Sequence, residues 1–357
     1  MLGKLIESRS LMMVGILSLS AAAFSACKQP SVSKTTPSTE VSGRTVNFAI
    51  PPQFHDGGDF SNGMAVVYKS TKVRYINRQG QMLTLQFNQE YPFAEGLRRF
   101  LQRGQWGYLN KQGKIAIKPQ FAEAREFSEG LAAVRQGDRW GFIDKRGQMV
   151  IPPQFVVFKN FSEGLAAIKI SSQWGYINKR GDIIIAPQFL ETSGFHDGLA
   201  WVKTKSKEGY INRQGDLVIQ TPYAVGVFHE GRARVEIFNK FGYIDKWGQL
   251  VIRPQFAFAR DFFEGLAQIQ VEDRYGYIDK QGKVVIEPQF TQALDFSEEL
   301  APVLVGDRWG YINPQGQIVI HPQFVSARKF SEGLALVCPK LRSCGYIRHP
   351  LKAKPAG

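Results

Sequence analysis

The sequence predicts an all-β protein, a tandem array of about nine 34-residue units, each a three-stranded antiparallel meander, stacked as an open β-solenoid or superhelix. Three observations predict it. The Gly of an E-G-L-A signature falls at positions 63, 96, 130, 164, 198, 231, 265 and 333, with Glu299 in the remaining slot, so successive gaps are 33 or 34 residues. The Gly of W-G-Y-I falls at 107, 141, 175, 209, 242, 276, 310 and 345, with Arg74 in the earliest slot. The Phe of P-Q-F falls at 54, 121, 155, 189, 256, 290 and 324, with Phe87 and Tyr223 as variants. Three independent markers on one period define a repeat array. An aromatic content of 12% favours strands over helices, since aromatic rings fit a pleated surface.

Phe127 to Phe155 shows the unit in order. After the Ser-Glu-Gly turn, Leu131 to Arg135 is a short apolar run and reads as the first strand. Gln136-Gly137-Asp138 turns the chain. Trp140 to Asp144 is the second strand, with Trp140 and Phe142 on one face and Ile143 on the other. Asp144-Lys145-Arg146-Gly147 is a tight turn in which Asp caps and Gly takes the left-handed position. That pattern returns at Asn77, Asn110, Asn178, Asn212, Asp245, Asp279 and Asn313. Met149 to Ile151 is the third strand, which Pro152 and Pro153 should stop because proline cannot donate to a ladder.

The third strand is apolar on both faces, as in Ile183-Ile184-Ile185, so neighbouring units are expected to cover both sides. The first copy begins at the third-strand equivalent, Val46 to Ile50, and the last ends after its second strand at Tyr346-Ile347. A closed, propeller-like ring would use this offset, with the N-terminal strand completing the last unit. Nine units of three strands exceed the usual four to eight blades of four strands, which favours the open array.

Trp106-Gly107-Tyr108, Trp140-Gly141-Phe142, Trp174-Gly175-Tyr176 and Trp309-Gly310-Tyr311, with their flanking signatures, resemble the WG-containing (KWG) repeats of bacterial proteins. The resemblance covers roughly residues 46–348, with Val73, Glu208, Phe241, Tyr275 and Cys344 in place of Trp. It implies a β-repeat scaffold, often exported and without an assigned activity. It carries over no catalytic residue.

Ahead of the repeats, residues 1–26 have Lys4 and Arg9 followed by a short apolar run, too short for a permanent membrane span. The run ends Phe24-Ser25-Ala26-Cys27, which resembles a bacterial lipobox with Cys27 as the lipidated mature N-terminus. An ordinary leader cut after Ser25 is the alternative. Residues 27–44 are rich in Ser, Thr and Pro and read as a disordered tether. The repeat domain occupies 45–349 and a tail 350–357. The expected location is therefore the bacterial cell envelope, membrane-anchored through the N-terminal lipid.

A net charge of +14 points to anionic partners. Outside the cytoplasm these are acidic glycan or lipid headgroups, with no nucleic acid expected. Candidate chemistry is sparse. His55, His196, His229, His321 and His349 occupy turn and variable slots of different units, which argues against a metal site. The Glu column (Glu95, Glu129, Glu163, Glu230, Glu264, Glu298 and Glu332, with Asp197) could supply paired carboxylates for glycoside chemistry. Its presence in nearly every unit argues for a structural turn contact instead.

Trp106, Trp140, Trp174 and Trp309 are read as a packed ladder, or as an aromatic groove for sugars or peptide. Two cationic sets, one after the turn Asp or Asn (Arg78 to Lys280) and one in the linking loop (Arg125, Lys159, Arg260, Arg328), would stack into basic stripes. They are either ligand-binding or solubilising and paired with the Glu column. Cys338 and Cys344 take the slots of Arg135 and Trp140, flanking the last hairpin turn, and are expected to form a disulfide that pins it. The functional expectation is a non-catalytic envelope lipoprotein without a cofactor, binding protein, peptide or anionic glycan. A propeller-type enzyme acting on envelope glycans and a purely structural spacer are the alternatives.

Overall fold

The computed structural model describes residues 46–352 apart from 71, 84–90 and 222. Cys27, the leader and the tether lie outside the described residues. The chain divides between Gly43 and Arg44, and the repeats fill the second unit. Among the described residues there is no helix, and the strands form nine separate antiparallel sheets.

The sheets close a nine-bladed ring, which corrects the open array. Strand Phe48–Phe54 pairs with Ser343–Arg348 at the far end of the chain, in the register Phe48 to Ile347, Ile50 to Tyr346 and Phe54 to Cys344. The N-terminal strand thus completes the ninth blade, as the sequence offset allowed. The physical reason is the core. Nine apolar clusters each span one junction between neighbouring blades. One of them joins Phe54, Phe60, Ala65 and Val67 from the start of the chain to Leu334, Leu336 and Tyr346 from its end. An open array would expose that cluster.

Among the described residues, seven sheets have four strands rather than three. In blade three the order is Glu123–Ala124, Ala132–Gln136, Arg139–Ile143, Met149–Phe155. The added two-residue strand lies in the linking loop, where no apolar periodicity announces it. The Pro152–Pro153 pair does not end the last strand. It sits on a sheet edge, where no partner needs its missing N–H, and the register shifts between the Phe142–Ile151 and Trp140–Phe155 pairs. Cover of the last strand is also thinner than expected. Ile151, Ile185 and their equivalents are buried, but Met149, Val150, Ile183 and Ile184 are exposed, because this strand is the outer edge of the blade.

The expected face division of the middle strand is seen. Trp140 and Phe142 pack toward blade four, and Ile143 packs toward blade two. Between them, Gly141 is required by close approach: a Cβ there would lie 2.5 Å from the Ile151 carbonyl oxygen and 2.8 Å from the Pro153 nitrogen. The shifted edge strand crosses so tightly that only Gly fits.

Candidate binding surface

The Glu column builds the ring. Ser128 and Leu131 exchange backbone bonds around Glu129 and Gly130, whose φ values are 53° and 89°, a type I′ turn. A Glu in this left-handed conformation is unusual and strained by roughly 1 kcal/mol. Its carboxylate accounts for it, accepting a backbone N–H from the next blade. Glu95 accepts from Gly130, Glu129 from Gly164, Glu163 from Gly198, Asp197 from Gly231 and Glu298 from Gly333. Glu230 accepts from both Glu264 and Gly265, and Glu264 from Glu298 and Glu299. Glu332 accepts from Gly63 at 2.8 Å across the seam.

The first cationic set meets this column: Lys145 lies 2.9 Å from Glu95, Lys179 3.2 Å from Glu129, Arg213 4.0 Å from Glu163 and Lys280 3.0 Å from Glu230. Those cations and carboxylates are committed to one another.

A buried Tyr column adds a second set of struts. The hydroxyls of Tyr108, Tyr243, Tyr277 and Tyr311 donate to the carbonyls of Arg125, Arg260, Leu294 and Arg328, each 17 residues on and in the next blade. Burial pushes these hydroxyls far above their ordinary range, so they remain donors at any relevant pH. Phe142 breaks the column, and Phe158 fills the space against it at 5.4 Å between ring centroids.

That break lies beside a groove where several candidate binding residues meet. Between blades three and four, Arg125, Glu126, Trp140, Val157, Phe158 and Lys159 line an open groove of about 410 Å³. The Arg125 guanidinium stands 5.4 Å from the Trp140 ring centroid, and Trp140 packs 5.1 Å from Phe158. In the next blade the Lys159 and Lys169 ammonium groups each lie 5.7 Å from the Trp174 ring. A cation over an indole face keeps its charge presented while its stem covers the ring.

The other members of the set are placed differently. Arg260 pairs with Asp295 at 3.4 Å and Arg328 with Asp56 at 3.8 Å, so the second stripe is broken into ion pairs on that side. Asp295 is pushed up by burial, against the pull of Arg260 and Lys329. Trp309 packs against the core between blades eight and nine. Trp106 lies 5.1 Å from Tyr91 and beneath Arg99, which is held 2.9 Å from Glu126. Arg99 and Phe158 were not singled out from the sequence. The available signal was a departure from the repeat, Arg98-Arg99 where blade three has Ala132-Ala133, and Phe158 where it has Ala124.

His196 and His229 come together, with ring centroids 5.7 Å apart, because equivalent turn slots of adjacent blades face each other. Among the described residues no group of three His, Cys, Asp or Glu side chains could hold a metal ion. Cys338 and Cys344 form a disulfide with Cα atoms 4.0 Å apart. Both are buried in the seam cluster, so the bond pins a covered closing blade rather than a bare end.

No curated relative matches the sequence. Among solved structures, a eukaryotic initiation factor is similar in fold, with a TM-score of 0.55 at 11% identity over 85% of this chain and 94% of that one. PorZ, a surface component of the type-IX secretion system of Porphyromonas gingivalis, matches at TM-score 0.32 and 11% identity, over 82% of this chain and 42% of that one. Hsv2p of Kluyveromyces lactis matches at 0.37 and 11%, over 62% of this chain and 91% of that one. The first likeness shows the fold alone, and the other two are too loose to carry an argument. The model of the WG containing repeat matches eight segments, at residues 47–70, 106–140, 140–172, 174–207, 209–240, 241–275, 275–309 and 309–338. The chain belongs to the WG-containing repeat family.

Proposed function

We propose that the chain is a non-catalytic binding scaffold of the bacterial cell envelope, tethered through lipid on Cys27. Its ligand is an extended anionic peptide or glycan segment received between blades three and four. The observation that carries this reading is the Arg125 guanidinium over Trp140, with Lys159 on the same groove. Two cations converge there on an aromatic wall, whereas Arg260 and Arg328 already pair with carboxylates. The repeated Glu side chains support a scaffold rather than an enzyme, since they hold backbone N–H groups between blades.

The test is calorimetric titration with an acidic oligosaccharide and an acidic peptide. Arg125→Glu with Lys159→Glu should lower affinity at least about tenfold, equivalent to about 1.4 kcal/mol, without changing the melting temperature. Unchanged affinity for both ligands would refute the groove. Metabolic palmitate labelling tests the anchor: Cys27→Ser should abolish it, and labelling that persists would refute lipidation at Cys27.

A further inference from the structure

Strands alternate direction within each blade, so the hairpins that join the E-G-L-A strand to the W-G-Y-I strand, as Ala132–Gln136 to Arg139–Ile143, end on the ring face opposite the Glu turns. These nine tips span residues 69–72 (apart from 71), 102–105, 136–139, 170–173, 203–208, 237–240, 271–274, 305–308 and 340–343. They hold twelve Lys or Arg against five Asp or Glu, a surplus of seven out of the +14 of the whole chain. On the opposite face, carboxylates meet the cations one for one at four junctions. The charge is therefore concentrated on the hairpin face.

Two of its tips are strongly apolar. Phe238 is 97% exposed and sits at φ 50°, followed by Asn239 at φ 57°. A bulky side chain in the first position of such a turn costs strain, where Gly, Asn or Asp would cost little. Full exposure of the ring adds a hydration cost. Leu341, three blades on, is 85% exposed between Lys340 and Arg342. The intervening tips present Val271 and Val305, 45% and 42% exposed, and carry three of the five acids: Glu272, Asp273 and Asp307.

We propose that this face docks on an anionic lipid surface. Phe238 and Leu341 enter the headgroup boundary, and Lys240, Lys340 and Arg342 meet the headgroups. A soluble polyanion would engage the cations and leave both apolar tips in water. An apolar protein patch would cover the tips and leave the charge surplus unmatched. An anionic bilayer satisfies both.

The test uses the full chain carrying Cys27→Ser, so that no acyl anchor contributes. A single cysteine at position 238 (Phe238→Cys) or, on the opposite face, at the 80% exposed Trp247 (Trp247→Cys) carries an environment-sensitive fluorophore. With phosphatidylglycerol vesicles the probe at 238 should shift to the blue and the probe at 247 should not; phosphatidylcholine should leave both unchanged. Phe238→Ser with Leu341→Ser should reduce affinity for the anionic vesicles, read by sedimentation, at least about tenfold at an unchanged melting temperature, the least expected from withdrawing two partly inserted apolar side chains from the interface. No shift at 238, an equal or larger shift at 247, or sedimentation insensitive to the paired serines would overturn the proposal. So would equal binding to neutral vesicles.

Discussion

Glu230 gives the sharpest test of why the ring tolerates a Glu in a left-handed turn at most of its junctions. It sits at φ 51° and accepts the backbone N–H groups of Glu264 at 2.7 Å and Gly265 at 2.9 Å, with Lys280 at 3.0 Å. Glu230→Ala removes both bonds and keeps the strain. Half-exposed charge-assisted bonds of this kind contribute about 1 kcal/mol each, so the expected loss is about 2 kcal/mol. Glu230→Gly loses the same bonds but relieves about 1 kcal/mol of strain, leaving a net loss of about 1 kcal/mol. Glu230→Gln retains one acceptor oxygen and should fall near Gly. Urea unfolding followed by tryptophan emission and far-UV dichroism together gives the order, provided the two transitions coincide. If Gly equals or exceeds the parent, the carboxylate contributes nothing and the strain has another cause.

The same residue sets a pH limit. Burial alone would raise the Glu230 carboxyl, but bonds from Lys280, Gly265 and Glu264 outweigh it and hold the group below its ordinary 4.5. Its contribution should be present above 4.5 and lost as pH falls through the lowered native value.

Other outcomes follow from single sites. Gly141→Ala places a methyl 2.5 Å from the Ile151 oxygen and should cost about 3 kcal/mol. Gly130→Ala meets no atom within 4 Å but is held at φ 89°, and should cost about 1 kcal/mol in the same urea assay. His349 is buried, with Nε2 on the Glu298 carbonyl and Nδ1 accepting from Leu351 N–H, and burial lowers it below 6.5. Its stabilising share is therefore present above 6.5 and lost as pH falls below it, and melting curves of His349→Asn should show a smaller decline over that window. Opening the Cys338–Cys344 bond releases a short loop and should cost about 2 kcal/mol, read as a lower melting temperature with reductant that Cys338→Ala with Cys344→Ala reproduces and no longer responds to.

Local chemistry was legible in the sequence wherever a short motif fixes a backbone conformation. Ser-Glu-Gly turns, the Asp144 cap on Arg146 and Gln148 N–H, and the division of Trp140 and Ile143 between two faces depend on residues a few positions apart. The cysteine pairing was legible because the repeat period aligns Cys338 with Cys344 across a hairpin. Closure was misjudged in favour of an open array, because pairing Phe48 with Ile347 is a contact between chain ends that leaves no local signature. The two-residue strands were missed for want of periodicity. Ile183 and Ile184 read as covered because an apolar run looks the same at a perimeter as in a core. The groove was only partly legible. Arg125, Lys159, Trp140 and Trp174 belong to repeated columns, but the substitutions that shape their surroundings, Phe142, Phe158 and Arg99, are departures from the repeat.

Closure itself is tested most directly by the distance between the chain ends. Spin labels at Asp56→Cys and Arg328→Cys, with Cys27→Ser and the native disulfide intact, replace an ion pair that joins blade one to blade nine at 3.8 Å. The ring predicts a single short interspin distance. Nine sheets stacked in an open array at roughly 10 Å spacing would separate the same positions by about 80 Å, and that result would contradict the closed ring.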